Sequence, residues 1–156
     1  MGVEQHGAHR ALTVAKRYVR FGNRSTAELR AYLQERRVAE RLIPAVIEEA
    51  TRRGLLDDEA CAKLCAGVLN QQGYAWAAVH EQLRAKGFTD EVVERILKPL
   101  QADADDATRA RALVRSHLRD PSPRRRAWLA RWLARRGFDP ELIDEILAES
   151  CEPTSE

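Results

Sequence analysis

Between Pro123 and Arg135 the chain sets arginines and a tryptophan at helical spacing: Arg124, Trp128, Arg131 and Arg135. At about 100° per residue the three arginines fall within about 40° of one another, with Leu129 and Leu133 on the opposite side. Trp128 lies beside the arginines. Guanidinium groups around an indole suit phosphate neutralisation and base stacking. The same positions also suit a plainer arrangement, with Trp128 packed against a neighbouring part of the chain or its C-terminal tail. A second set of cations, Arg17, Arg20, Arg24, Arg30 and Arg37, steps along the first forty residues. These form either a solvated face or a contact with DNA phosphate or an acidic protein surface. Arg125 and Lys86 complete the candidates for partner or DNA binding.

Other chemistries have less to stand on. Cys61 and Cys65 are four residues apart on one helical face. A mutual disulfide is awkward there, and small reduced core thiols are the expectation. The histidines at 6, 9, 80 and 117 are scattered and give no zinc spacing. Asp57 and Asp58 suit the start of a helix better than a catalytic carboxylate pair. There is no P-loop, no glycine-rich dinucleotide fingerprint and no nucleophile elbow. The expectation is a protein that is not an enzyme and needs no metal or cofactor. No apolar run approaches the roughly 20 residues needed to span a bilayer. The opening MGVEQHGAHR has no apolar signal core. A cytoplasmic monomer without membrane attachment is expected.

The net charge of +2 hides an uneven distribution. Residues 1–56 hold eleven Lys or Arg against six Asp or Glu, residues 57–106 five against ten, and residues 107–156 ten against eight. An acidic middle between basic ends suits a partner touched in more than one place.

The elements that position these charges come from an internal repeat of period 50. Leu29, Val79 and Leu129 correspond, as do Leu33, Leu83 and Leu133, then Val38, Phe88 and Phe138. Leu42, Val92 and Leu142 follow, then Ile43, Val93 and Ile143, Val46, Ile96 and Ile146, and Ile47, Leu97 and Leu147. Within each copy the spacing is helical. Gly87 and Gly137 stand where a helix end wants a left-handed residue, with Thr89 and Asp139 suited to cap the next helix. The first copy has Arg37 at the glycine position, which predicts a different turn there. An upstream helix precedes each copy. Its stripe is Ala11, Leu12, Val14, Ala15, Tyr18 and Val19 in the first and Cys61, Ala62, Leu64, Cys65, Val68 and Leu69 in the second. In the third it is Ala110, Leu113, Val114, His117 and Leu118. Trp76 is expected to tie the first and second helices of its copy together, and Trp132 to sit at a core edge or between copies.

The reading is an all-α chain of three tandem three-helix repeats, spanning 1–56, 57–104 and 105–150, forming an elongated, curved array with a disordered tail at 151–156. Each repeat is too small to stand comfortably alone, so neighbours are expected to support one another.

The run GLLDDEACA, then Gly73, then VHEQLRAKGF with its Lys86-Gly87-Phe88, resembles the RecX family of regulatory proteins. STAELRAYL in the first repeat and RRRAWLARWLARRGFDPELIDEIL in the third resemble the same family, so the likeness covers about residues 8–148. The chain departs from that pattern at Cys61, Cys65, Leu69 and Gln82. The resemblance implies a modulator that binds the RecA recombinase filament on single-stranded DNA and restrains recombination, ATP hydrolysis and the SOS coprotease activity. Two other classes fit the residues: a DNA-binding helical module, and a protein-binding scaffold with no recombinase specificity.

Overall fold

The structure is a computed structural model that describes residues 2–20, 22, 24–119 and 122–150. The tail at 151–156 lies outside the described residues, as do Asp120 and Pro121. Among the described residues there are nine α-helices and no strand. They are α1 (Gly2–Val19), α2 (Thr26–Glu35), α3 (Ile43–Arg52), α4 (Asp58–Gln71), α5 (Trp76–Ala85), α6 (Asp90–Asp103), α7 (Asp106–His117), α8 (Pro123–Arg135) and α9 (Pro140–Glu149). A 3-10 turn, Glu40–Leu42, leads into α3. Helix packing closes within the trios α1–α3, α4–α6 and α7–α9. The accessible surface of 10741 Å² exceeds by roughly a third that of a compact chain of this mass, as a tandem array requires.

The period-50 positions are the cores of these trios. Leu29, Leu33 and Ile43 are fully buried in the first, Val79, Leu83 and Val93 in the second, and Leu129 and Leu133 in the third. Leu42, Val92 and Leu142 are only half-buried in all three copies, so even the edges of the stripe repeat. One part of the expected stripe fails. Leu64 and Val68 are largely exposed, at 64% and 52%, and the inner face of α4 is built from Cys61, Ala62, Ala66 and Leu69. The small residues at 62 and 66 let α4 approach closely, which rotates 64 and 68 outward.

The helix boundaries follow the capping chemistry. Thr89 and Asp139 cap α6 and α9, with Pro140 opening the latter. Ser25 and Glu28 form a reciprocal capping box on α2. Gly87 and Gly137 are left-handed, at φ +91° and +86°. The first copy does not depart from this turn. Arg37 takes a left-handed φ of 55°. Its N–H donates to the Gln34 carbonyl at 2.8 Å, as those of Gly87 and Gly137 do to Arg84 and Ala134.

The trios are joined by a device that occurs twice. Asp57 and Asp105 each cap their own helix, accepting from the N–H groups of Ala60 and Thr108. The next aspartate reaches back into the preceding trio. Asp58 Oδ1 accepts from the N–H of Thr26, the first residue of α2, at 2.6 Å. Asp106 accepts from the N–H of Trp76, the first residue of α5, at 3.0 and 3.3 Å. Helix α5 has Ala75 at its N-cap and no capping side chain of its own, so Asp106 satisfies an otherwise orphaned donor. The third trio needs no such partner: α8 is capped by Ser122 and opens with Pro123, which has no N–H to offer.

Close approach accompanies the joints. A Cβ on Gly87 would lie 2.5 Å from Ala27 Cβ, and one on Gly137 would lie 2.9 Å from Ala78 Cβ. The glycines therefore answer both to backbone handedness and to space. Among the described residues Arg37 faces no other trio, and its side chain is exposed.

Two outcomes follow. Gly87→Ala should cost about 2–5 kcal/mol, combining left-handed strain with overpacking, against about 1–2 kcal/mol for Gly54→Ala, where φ is positive but the space is open. Urea unfolding checks the difference, and Ala27→Gly should recover part of the Gly87→Ala loss but none of the Gly54→Ala loss. The Asp105 carboxyl is held below its ordinary range, chiefly by the Thr108 backbone N–H. Its capping contribution is therefore complete above the ordinary carboxylate pKa and lost as pH falls through the lowered one. Acid titration followed at the Thr108 amide should show the loss, and Asp105→Asn should abolish the titration.

Candidate partner-binding surface

The arginines divide into those that hold the array together and those that are free to touch something else. Arg109 belongs to the first kind. It is buried, pairs with Asp106 at 2.9 Å, donates to the Tyr74 carbonyl at 2.6 Å and lies 3.9 Å above the Trp76 ring. Burial pushes its guanidinium pKa down and Asp106 opposes that push. The indole of Trp76 donates to the Ala104 carbonyl at 2.8 Å. Trp76 thus fastens its trio to the link leading into α7, beyond the contact between its own first two helices. Arg136 works from the other side. Its Nε donates to the Gln72 carbonyl at 2.9 Å, its plane covers Trp132 at 3.7 Å, and its carbonyl accepts from Ala75. Trp132 lies against Gly73 of the preceding trio, which makes it an inter-trio contact.

The joint between the second and third trios is therefore dense, and Ala75 even lies in the third core. Among the described residues the joint between the first and second is sparser. Beyond Asp58–Thr26 it has a long hydrogen bond from Asp57 N to the Arg24 carbonyl at 3.4 Å. A cavity of about 280 Å³ lies beside it, lined by Cys61, Cys65 and Phe88 of the second trio and Ser25 of the first. Burial, with help from Glu28 and Asp58, pushes the Cys61 thiol above its usual range, so it behaves as a small packing residue.

Two half-buried aromatic ladders stand in the end trios. In the first, Arg24 lies over Tyr18 at 4.8 Å, Tyr18 stacks on Tyr32 at 4.0 Å and 13°, and Arg36 lies over Tyr32 at 5.0 Å. In the third, Arg125 covers Trp128 at 4.3 Å, Trp128 stacks on Trp132 at 6.1 Å, and Arg136 closes the series. Tyr32 and Trp132, and likewise Arg36 and Arg136, are two periods apart. The middle trio has Gln82 and Lys86 at those places. The correspondence of Tyr32 with Trp132 is legible in the sequence; the stacking of each on a second ring and under arginines is not.

The expected binding residues separate accordingly. Arg124, Arg131 and Arg135 are exposed along α8 and make no ion pair among the described residues. Arg125 is committed: it donates to the His117 carbonyl at 3.1 and 3.3 Å, closing the end of α7. Trp128 is half-buried against the third core, which includes Ala75 of the second trio; the C-terminal tail, the other expected neighbour, lies outside the described residues. Arg17 and Arg20 are exposed at the end of α1, Arg37 at the turn after α2 and Lys86 at the turn after α5. Arg24 is half-buried in the ladder, and Arg30 sits 3.9 Å from Glu40. The α8 set is one surface, and the α1 set with Arg37 belongs to the far end of the array. No helix among the described residues is long and apolar enough to cross a membrane.

No protein-family model matches the chain. The regulatory protein RecX of Mycolicibacterium vanbaalenii is 36% identical over 141 residues, which take in 81% of this chain and 74% of that protein. The chain belongs to the RecX family. RecX of Mycolicibacterium smegmatis is 31% identical over 148 residues, covering 88% of this chain and 78% of the relative. RecX of Trichlorobacter lovleyi is 29% identical over 126 residues, covering 77% and 82%. The crystal structure of RecX from Lactobacillus salivarius superposes with a TM-score of 0.71 at 19% identity, over 93% of this chain and 97% of that one, so the fold is shared. The departures from the RecX pattern are mostly packing choices. Cys61 and Leu69 are buried in the middle core, and Cys65 is packed at its edge.

Arg109→Met should cost about 2–4 kcal/mol, since it leaves Asp106 and the Tyr74 carbonyl without their buried partner. Arg124→Glu should change stability by less than about 0.5 kcal/mol. Parallel urea unfolding with tryptophan emission checks both.

Proposed function

We propose that this RecX-family protein binds the RecA recombinase filament on single-stranded DNA and restrains its ATP hydrolysis, strand exchange and coprotease activity. Each trio (1–56, 57–104 and 105–150) acts as one repeat of the binding array. The observation that carries the reading is the distribution of uncommitted cations along an extended chain. Arg124, Arg131 and Arg135 stand free at one end and Arg17, Arg20 and Arg37 at the other, with an acidic repeat between them. A compact ligand would meet one end only; a helical polymer with repeating acidic and phosphate surfaces can meet both. The aromatic ladders stiffen both basic ends, which lowers the ordering cost of binding there. The names of its relatives, all regulatory proteins, point the same way.

The test adds the protein to RecA already assembled on single-stranded DNA and follows ATP hydrolysis and filament length. The full chain should reduce both. Arg124→Glu combined with Arg131→Glu should weaken the effect at least tenfold with the fold intact. Where DNA phosphates contribute, log affinity should fall against log salt by about 0.7 per contact. Unchanged hydrolysis and length at excess protein would refute the proposal. Equal affinity for naked single strands would favour a plain DNA-binding module instead.

A further inference from the structure

Each trio carries the same groove, between its first helix and the turn that ends its second. In the second trio the groove is formed by Cys61, Leu64, Lys86 and Phe88, and the preceding trio brings Ser25 and Glu28 to the same cavity. In the third it is formed around Leu113 and Arg136, and receives Gln72 and Gly73. The first trio repeats the pattern one period earlier: Ala11, Val14, Arg36 and Val38 stand where Cys61, Leu64, Lys86 and Phe88 stand. Among the described residues no other trio covers it. The groove is open, with a volume of about 360 Å³, and Arg10 and Arg37 add to its rim while no acidic residue lines it among the described side chains.

We infer that this open groove is a docking site for the acidic first turn of a helix from a partner protein. The occupant's chemistry comes from the second trio's copy. There the start of α2, with its capping serine and glutamate, forms one wall of the groove, Ala27 meeting Gly87 and the Thr26 N–H meeting Asp58. Three arginines in place of the single Lys86 call for more negative charge at that turn. Arg10 and Arg37 make no ion pair among the described residues, so their charge is available; Arg36 is held over the Tyr32 ring. The Arg37 side chain blocks the backbone contact that Gly87 and Gly137 permit, so the occupant is held by charge and by the apolar floor of Ala11, Val14 and Val38. A second copy docking by its α8 start, which runs Ser122, Pro123, Arg124, Arg125 and Arg126, would set arginines against arginines; its acidic α6 and α9 starts are exposed, so self-association of the chain alone through this groove would overturn the assignment. A nucleic-acid strand would match the charge but leave the apolar floor unused. This site is independent of the recombinase reading, since neither its geometry nor its test involves a filament.

The test uses the full chain, labelled for amide shifts, with a short fluorescein-labelled synthetic helix opening Ser-Pro-Glu-Glu. The peptide should shift amides at Arg10–Val14 and Arg36–Val38 and bind measurably by anisotropy. Arg10→Glu with Arg37→Glu should weaken binding at least tenfold, while Lys98→Glu, an exposed charge change elsewhere, should leave it unaltered. A peptide opening Ser-Pro-Gln-Gln should bind as poorly as the double variant. Circular dichroism of the variant should match the parent, both residues being exposed. The assignment falls if millimolar peptide gives no shifts in this groove, if the double variant binds as well as the parent, or if single-stranded oligothymidine shifts these amides at lower concentration than the peptide.

Discussion

An aspartate at the start of one helix that hydrogen-bonds the start of a helix in the preceding trio is the constraint on which the array depends. A helix N-terminus presents unpaired N–H groups and a partial positive charge. A neighbour's carboxylate answers both at once. Because the donor at Thr26 or Trp76 is a fixed part of a rigid helix, the bond sets direction as well as distance between trios. Gly87 and Gly137 then bring backbone and side chain closer than any larger residue would permit. Small cores of this size support themselves poorly, and the joints make three of them into one object.

The two joints are not equal, and the inequality bears on how the protein meets a partner. The second and third trios share Arg109, Trp76, Arg136, Trp132 and Ala75 across their boundary. The first is attached by fewer bonds beside an open cavity. Such a chain carries a stiff two-trio segment and a more loosely seated basic end. A partner with its own curvature can be met by small adjustment at one place, at less cost than deforming a uniform rod.

The trios, their caps and their core positions were legible in the sequence because they obey a strict period and simple helix rules. Leu29, Val79 and Leu129 needed no structure to be matched. The joints were harder. The pair Asp57–Asp58 reads as a capping signal, and only its recurrence as Asp105–Asp106, offset by 48 instead of 50, shows that the second member has another task. Arg109 and Arg136 carry no local sign that separates them from surface arginines, since their roles at the joint depend on the Tyr74 and Gln72 carbonyls, thirty or more residues away. Leu64 and Val68 were placed inside because their spacing is helical. Small alanines on the adjacent face decide otherwise, and periodicity alone does not weigh side-chain size. The site was legible as charge type and not as commitment: Arg124 and Arg125 are neighbours, yet one is free and the other closes a helix.

Pro123 has a consequence for how a further trio could be joined. A downstream module of the same design would bring an aspartate to the first residue of α8 and find no hydrogen there to hold. At the opposite terminus the Arg37 side chain occupies the space an upstream module would need. Joining a further trio to the described array by the same device would therefore require rewriting residue 37 on one side or residue 123 on the other.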